Sequence, residues 1–183
     1  MILGTSSAKK DRYNMTYIRN IKENESGRME GEVYLGAIKQ NIIVMFDKKA
    51  PIDYVKSQLE YLWSLDDKII KKMCFYADLY RKDIMEECPD QDYPEGLERV
   101  KDPLELWEYM GITSLKVDLY KNEDVKKVRV LNLIGWCDWD EENGIEWLIK
   151  EDEVVYVGAN DWVNIWYSPY EDNLFNYVSK DWL

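Results

Sequence analysis

The chain has 183 residues, 46% of them hydrophobic and 14% aromatic, which is enough for a single domain with a sizeable core and too apolar for a disordered chain. Its 36 acidic and 24 basic side chains leave a net charge of −12, so we expect neither a nucleic-acid nor a membrane partner. The chain contains no histidine, which excludes Ser-His-Asp and Cys-His mechanisms and removes the commonest metal ligand.

The cysteines indicate a reducing compartment. Cys74, Cys88 and Cys137 are widely spaced and form no Cys-x-x-Cys motif, so neither a zinc knuckle nor a redox motif is present. The first residues are too polar for a signal peptide, and no apolar run approaches the roughly 18 residues of a membrane span. Neither glycine-rich phosphate-binding motif occurs. We therefore expect a cytoplasmic protein without a cofactor.

The N-terminal half reads as strands followed by helices. Tyr13 to Tyr17 give a weak strand signal, residues 20–28 read as a loop, and residues 32–35 and 41–47 are better strands. Pro51 suits the first turn of a helix, and Asp66 or Asp67 can cap a second helix that ends before Pro89. The second helix carries an apolar stripe at helical spacing: Ile70, Met73, Ala77, Tyr80 and Ile84.

Residues 88–101 contain two prolines, a glycine and several acids, and they predict a loop. This loop is a soft boundary in one domain of residues 1–183. It separates an N-terminal α/β unit, residues 1–88, from a C-terminal β unit, residues 102–183. Asp102, Pro103 and Glu105 then form the start of a short helix with a capping box.

The C-terminal third is rich in strands. Residues 113–120 alternate in polarity, Asn122 to Asp124 predict a turn, and residues 125–137, 145–150 and 154–157 complete a meander of hairpins. Asn143-Gly144 predicts a type I′ turn. The aromatic tail from residue 160 is expected to pack back on the sheet, with a short helix at residues 171–178.

These elements predict the α+β class. We expect antiparallel β-sheets, formed by an N-terminal hairpin and a C-terminal meander, packed against two to three helices in residues 51–110.

The Asn-Gly hairpin concentrates acids and aromatic rings. Asp138, Asp140 and Glu142 alternate, so on a regular strand they would share one face. The spacing departs from a calcium loop, because Asn143 stands where glycine is needed and Ile149 where the closing acid is needed. A solvated turn and a recognition surface remain the two main interpretations, ahead of a metal site.

Two runs carry a resemblance to a known family: Cys137 to Ile145, read Cys-Asp-Trp-Asp-Glu-Glu-Asn-Gly-Ile, and Asp152 to Gly158, read Asp-Glu-Val-Val-Tyr-Val-Gly. They resemble a bacterial family of unknown function whose C-terminal hairpin reads roughly Asp-Trp-Asp-Glu-Glu-His-Gly. The resemblance is clear over residues 112–160 and looser from residue 30. Members often lie near polymorphic toxin genes, which implies an immunity-type role. Asn143 departs from the family's histidine, and the resemblance supplies no catalytic residues.

Three hypotheses for function follow. The first is a protein-binding protein, of an immunity type, that neutralises a basic toxin through an acidic aromatic surface made of Asp138, Trp139, Asp140, Glu141 and Glu142. The second is a carboxylate-dependent hydrolase of a carbohydrate-like substrate, which requires a cleft with two acids about 5–10 Å apart and one raised pKa. The third is a non-catalytic oligomeric module with a large apolar self-interface. No catalytic, cofactor-binding or metal residues are assigned.

Overall fold

A computed structural model of the chain describes residues 18–36, 39–119, 128–166, 170 and 173–179. These residues form seven strands, two α-helices and two short 3-10 helices. The strands are β1 (Arg19–Glu23), β2 (Met29–Leu35), β3 (Gln40–Phe46), β4 (Met110–Val117), β5 (Val130–Cys137), β6 (Ile145–Lys150) and β7 (Glu153–Gly158). The helices are α1 (Ile52–Trp63) and α2 (Asp67–Glu87), and the 3-10 helices span Leu97–Arg99 and Pro103–Glu108.

The seven strands form one sheet in chain order, from β1 to β7. All neighbouring pairs are antiparallel except β3 and β4, which run parallel. A parallel pair needs a long crossover connection, and residues 47–109 with their helices provide it. The predicted α+β class, with two to three helices in residues 51–110, is confirmed. The two predicted sheets are joined into one through the parallel pair.

The helices lie on one face of this sheet and form the main core with it. Asp66 caps α2, because its side chain accepts a hydrogen bond from the Ile69 N–H at 2.9 Å. The predicted stripe from Ile70 to Tyr80 is buried. Each large apolar side chain that is fully buried here stabilises the fold by about 1.5–3 kcal/mol. The core draws residues from both sides of loop 88–101, from Val33 on β2 to Tyr177.

The opposite face of the sheet carries a second, smaller core over β5, β6 and β7. The chain after β7 covers this face and buries Val163, Ile165 and Tyr170 against Val130, Leu148 and Tyr156. The prediction that the aromatic tail packs back on the sheet is therefore confirmed for these residues. We call residues 159–166 the strap.

The outer edge of β7 is occupied by the chain that follows the strap. The Asn176 side chain donates to the Val155 carbonyl at 3.0 Å and accepts from the Val157 N–H at 3.4 Å, and the Tyr177 N–H donates to the Val157 carbonyl at 2.9 Å. At the other edge, β1 is five residues long, wholly exposed, charged and irregular in register. Both edges are thus modified against further strand pairing.

Some local predictions differ from the structure. The predicted loop at residues 20–28 contains most of β1, because Arg19 to Glu23 pair with the edge of β2. The predicted helix at residues 171–178 is absent over residues 173–178, which form turns. The weak strand signal from Tyr13 to Tyr17 and the turn from Asn122 to Asp124 lie outside the described residues.

Candidate functional site

The connection between β5 and β6 is a loop of residues 138–144 rather than a tight two-residue hairpin. Gly144 has a φ of 68°, but Asn143 has a negative φ, so the predicted type I′ turn is wrong. The loop closes instead through a hydrogen bond of 2.8 Å from the Gly144 N–H to the Asp140 carbonyl. Because these residues leave the strand, Asp138, Asp140 and Glu142 do not share one strand face.

Asp140 holds this loop together. Its carboxylate accepts hydrogen bonds from the Tyr80 hydroxyl on α2, from the Asn143 N–H at 3.1 Å and from the Asn143 side-chain amide at 3.0 Å. Tyr80 is 1% exposed, so its hydroxyl depends on this acceptor. Burial, followed by the Asp140 hydrogen bond and charge, strongly raises the pKa of Tyr80. Asp140 is therefore a structural anchor rather than a free contact residue.

Trp139 is fully buried and is removed from the predicted contact surface. Its ring packs edge-to-face on Tyr80, with 6.0 Å between ring centroids. The reason is the alternation of β5: Leu133 and Cys137 face the helices, and Trp139 continues that parity into the loop. Trp136 has the opposite parity and is 43% exposed, so it is the exposed ring beside the loop.

The remaining predicted contact residues keep their carboxylates near the surface. Glu141 and Glu142 are exposed, and Asp138 is half-buried. Partial burial, reinforced by the charge of Glu141, raises the pKa of Asp138. The Asp138 backbone is fixed by a 2.9 Å hydrogen bond from its N–H to the Tyr109 carbonyl. The loop thus presents exposed carboxylates on a backbone that hydrogen bonds hold in place.

A second acidic loop meets the first one at this end of the sheet. Tyr109 links them, because its carbonyl accepts from Asp138 and its hydroxyl donates to the Glu95 carbonyl at 3.2 Å. Burial, followed by the charges of Cys88 and Asp140, raises the pKa of Tyr93. The sequence pattern marked residues 88–101 only as a boundary and missed this convergence.

We call this surface the acidic end. It consists of the two loops joined through Tyr109, with the carboxylates of Asp90, Asp92, Glu95, Asp138, Glu141 and Glu142, and Trp136 is the exposed ring at the end of β5 that leads into it. The ion pair of this surface within the described residues joins Glu95 to Arg99 at 3.4 Å, and both side chains are more than three-quarters exposed. Arg99 offsets one of the six carboxylate charges, so the acidic end keeps a net negative charge.

The hydrolase hypothesis requires a cleft that contains two carboxyl groups, one of them with a raised pKa. Asp138 and Glu146 are carboxyl groups in the described part of the chain whose pKa is raised, and Glu146 is fully buried beneath the strap. The structure has a shallow groove of about 440 Å³ along α2 and another of about 430 Å³ between the end of α2 and loop 88–101. Lys68, Lys71, Lys72 and Phe75 line the first, and neither groove contains Asp138 or Glu146. No observation on the described residues favours paired-carboxylate chemistry.

The described residues offer no further special site. They contain no group of three or more Cys, Asp or Glu side chains that could hold a metal ion. Among them, neither α-helix combines the length and apolar composition needed to cross a bilayer. Apart from the adjacent Leu174 and Phe175, the large apolar side chains that are exposed in the described residues lie on separate elements: Ile21, Tyr34, Ile52, Phe75, Trp136 and Trp162.

Fold and surface together define a small α+β protein with a helix layer on one sheet face, a strap on the other and an acidic end built from two loops. The chain belongs to the DUF6985 family, a domain of unknown function whose sequence profile matches residues 17–164. The matched region contains the whole sheet, both acidic loops and most of the strap. No curated protein and no solved structure matches the chain.

Proposed function

We propose that this protein is a protein-binding module of the immunity type, which captures a basic protein toxin at the acidic end. The observation that carries the proposal is the convergence of two acidic loops through Tyr109, one of which follows the exposed Trp136 directly, with a single ion pair against their six carboxylates in the described residues. Such a surface accelerates encounter with a basic partner, and an aromatic ring provides an anchor once the partner is bound.

The contact set proposed here drops two of the predicted residues, Trp139 and Asp140, and adds four others. Asp138, Glu141 and Glu142 remain, Trp136 replaces the buried Trp139, and Asp90, Asp92 and Glu95 are added from the second loop. Asp140 supports the surface by fixing its backbone. These carboxylates carry negative charge as the phosphates of nucleic acid do. The module would therefore fit over the basic active-site cleft of a toxin that attacks nucleic acid.

The test begins with the full chain, tagged and purified from the cells that produce it, at about 50 mM and about 500 mM salt. We expect a basic protein to co-purify at low salt and to be lost at high salt. With that protein purified, Glu141→Gln/Glu142→Gln should slow association about tenfold, because steering depends on the net charge of the surface. The matched control Glu25→Gln/Glu60→Gln removes the same charge from exposed positions far from the acidic end and should leave association unchanged.

Two results would reject the proposal. One is the absence of any basic partner at low salt. The other is a partner whose association responds equally to the two double variants. An immunity-type role further requires that the bound partner lose its toxic activity, and a complex in which that activity persists would reject this part of the proposal.

A further inference from the structure

Three polar side chains are buried in the small core under the strap. Lys116 on β4, Asn132 on β5 and Glu146 on β6 are 6%, 2% and 0% exposed. They point to the strap face of the sheet, where their neighbours Val130, Leu148 and Tyr156 are apolar. Burying such groups is costly unless each finds a partner, so their partners indicate what they do.

All three side chains bind the backbone of the strap. Lys116 Nζ donates to the carbonyls of Trp162 and Val163, both at 3.1 Å, and Asn132 Nδ2 donates to the Val163 carbonyl at 2.7 Å. Glu146 Oε2 accepts from the N–H groups of Asp161 and Val163, both at 3.2 Å. The polar cluster therefore holds an irregular backbone segment in which Trp162 has a φ of 52°.

Two oxygen atoms in this cluster lack a hydrogen-bond partner. They are Glu146 Oε1 and Asn132 Oδ1, and both are buried. Glu146 pairs with Ile134 across β5 and β6, so Asn132 is its diagonal neighbour, within reach of a long side chain. Two acceptors cannot satisfy each other. Only a proton on Oε1 would give Glu146 a donor of its own, and Asn132 Oδ1 is the neighbouring buried acceptor that lacks one.

Titratable groups on β4, on β7 and on the strap surround Glu146. On β4, Lys116 also pairs with Asp118 at 3.3 Å, and Asp118 pairs with Arg28 at 2.8 Å, so the lysine charge is shared. Tyr156 lies on β7 and Asp161 on the strap. Burial raises the pKa of Glu146 to about 7, against the opposing effects of the Val163 N–H, Lys116, Asn132 and the Asp161 N–H.

We propose that the strap is a latch which a proton on Glu146 holds closed and which opens when that proton is lost. In the closed form the carboxylic acid donates to Asn132 and accepts from the two strap amides. In the open form the carboxylate is hydrated. The latch acts without any partner, so its failure would leave the proposed function standing, and failure of the proposed function would leave the latch standing.

The direction of the pH dependence follows from linkage. Glu146 has a pKa of about 7 when closed and an ordinary value of 4.5 when hydrated, so the closed form binds the proton more tightly. Closure is fully favoured below 4.5 and is weakened as the pH rises through 7. Between about pH 5.5 and about pH 8.5, the opening equilibrium constant should rise about 30-fold.

The experiment measures amide hydrogen exchange of Asp161 and Val163 by NMR in the full chain, after correction for the intrinsic rate at each pH. We expect the protection of both amides to fall about 30-fold from about pH 5.5 to about pH 8.5. The amide of Ala77, in the middle of α2, is the internal reference and should keep its protection. In Glu146→Gln, whose amide reproduces the protonated acid, the strap should stay protected at both pH values.

The matched control is Glu142→Gln, an exposed position, which should behave as the wild type does. Equal strap protection at both pH values in the wild type, or an equal loss at Ala77, would overturn the latch. Should Glu146→Gln fail to fold, the carbon-13 resonance of the wild-type Glu146 carboxyl gives the same test. A midpoint near 7 supports the latch, and a midpoint near the ordinary 4.5 overturns it.

Discussion

Asp140 and Glu142 belong to the same loop but have different physical roles. Asp140 accepts hydrogen bonds from the buried Tyr80 hydroxyl and from two nitrogen atoms of Asn143, whereas the exposed Glu142 makes no hydrogen bond within the described residues. A buried hydroxyl that loses its acceptor costs about 1–3 kcal/mol. The two acids are therefore distinguishable by their effect on stability.

We expect Asp140→Ala to lower the free energy of unfolding by about 2–3 kcal/mol, because it leaves the Tyr80 hydroxyl buried with only a long contact to the Gly144 carbonyl. Glu142→Ala should change it by less than about 0.5 kcal/mol. Urea unfolding of both variants, analysed by linear extrapolation, measures the difference. Equal destabilisation by the two substitutions would show that Asp140 does not anchor the loop.

At the residue scale, sequence reasoning placed the acids correctly in a loop but assigned the wrong tryptophan to the surface. The parity of β5 was available: Leu131, Leu133 and Cys137 are apolar at odd positions, and Trp139 follows them. The roles of Asp140 and Glu146 were not available, because both depend on partners far away in the chain, Tyr80 on α2 and the strap.

At the element scale, two glycines with positive φ mark turns that differ in crowding. Gly144 closes the acidic loop at a φ of 68°, and a Cβ there would lie 2.4 Å from the Gly135 carbonyl oxygen. Gly27, between β1 and β2, has a φ of 78°, but a Cβ there would meet only the Glu23 side chain at 3.9 Å. Substitution at Gly27 therefore tests backbone strain alone, whereas substitution at Gly144 tests backbone strain together with a steric clash.

Gly27→Ala should cost about 1 kcal/mol, the price of a left-handed conformation for a residue with a Cβ. Gly144→Ala should cost about 3 kcal/mol or more, since the backbone of β5 must also move away. Thermal and urea unfolding of the two variants provide the comparison. A cost at Gly144 no larger than that at Gly27 would mean that the loop relaxes freely around the new methyl group.

The turns illustrate why local signals predicted elements better than connections. Asn143-Gly144 has the favoured residues for a type I′ turn and does not form one, because Asp140 and Tyr80 fix a wider loop. The tight turn between β6 and β7 has Glu151-Asp152 instead of Asn-Gly. Both residues nevertheless have a positive φ, 51° and 67°. The Tyr61 hydroxyl and the Arg129 N–H bind this turn and offset its strain.

At the scale of the whole molecule, the parallel pair of β3 and β4 joins the N-terminal and C-terminal strands into one sheet. Val44 on β3 lies beside Leu115 on β4 in the parallel pair, and the helices separate them in the chain. Ile149 on β6 pairs with Leu131 on the adjacent β5. Because closing a longer loop costs more entropy, the hairpins should form before the parallel pair.

We therefore expect Val44→Ala to have a φ-value below about 0.3 and Ile149→Ala one above about 0.5. Both side chains are fully buried, so both substitutions should destabilise the protein enough for the ratio to be measured. Stopped-flow folding and unfolding rates provide the values. The reverse order of the two φ-values would place the crossover, rather than the hairpins, in the folding nucleus.

The same topology explains what sequence reasoning left open on this scale. Hairpin and alternation signals identify β2, β3 and β4 to β7 and their antiparallel neighbours, because those contacts are local. They carry no information on whether β3 and β4 pair, since that contact depends on how the helix layer covers one face of the sheet. Sequence signals also could not predict which sheet face the strap covers, because the strap is held there by the buried polar side chains of Lys116, Asn132 and Glu146.

The hydrogen bonds of Asn176 and Tyr177 to the edge of β7 bear on whether the protein aggregates at high concentration. A bare outer strand would offer its amides and carbonyls as a template for a neighbouring chain. Here Asn176 and Tyr177 already form hydrogen bonds with Val155 and Val157 at one edge, and the strand at the other edge is short, charged and irregular in register. Loss of residues 173–179 would leave the β7 edge free to pair with a neighbouring molecule and so to polymerise.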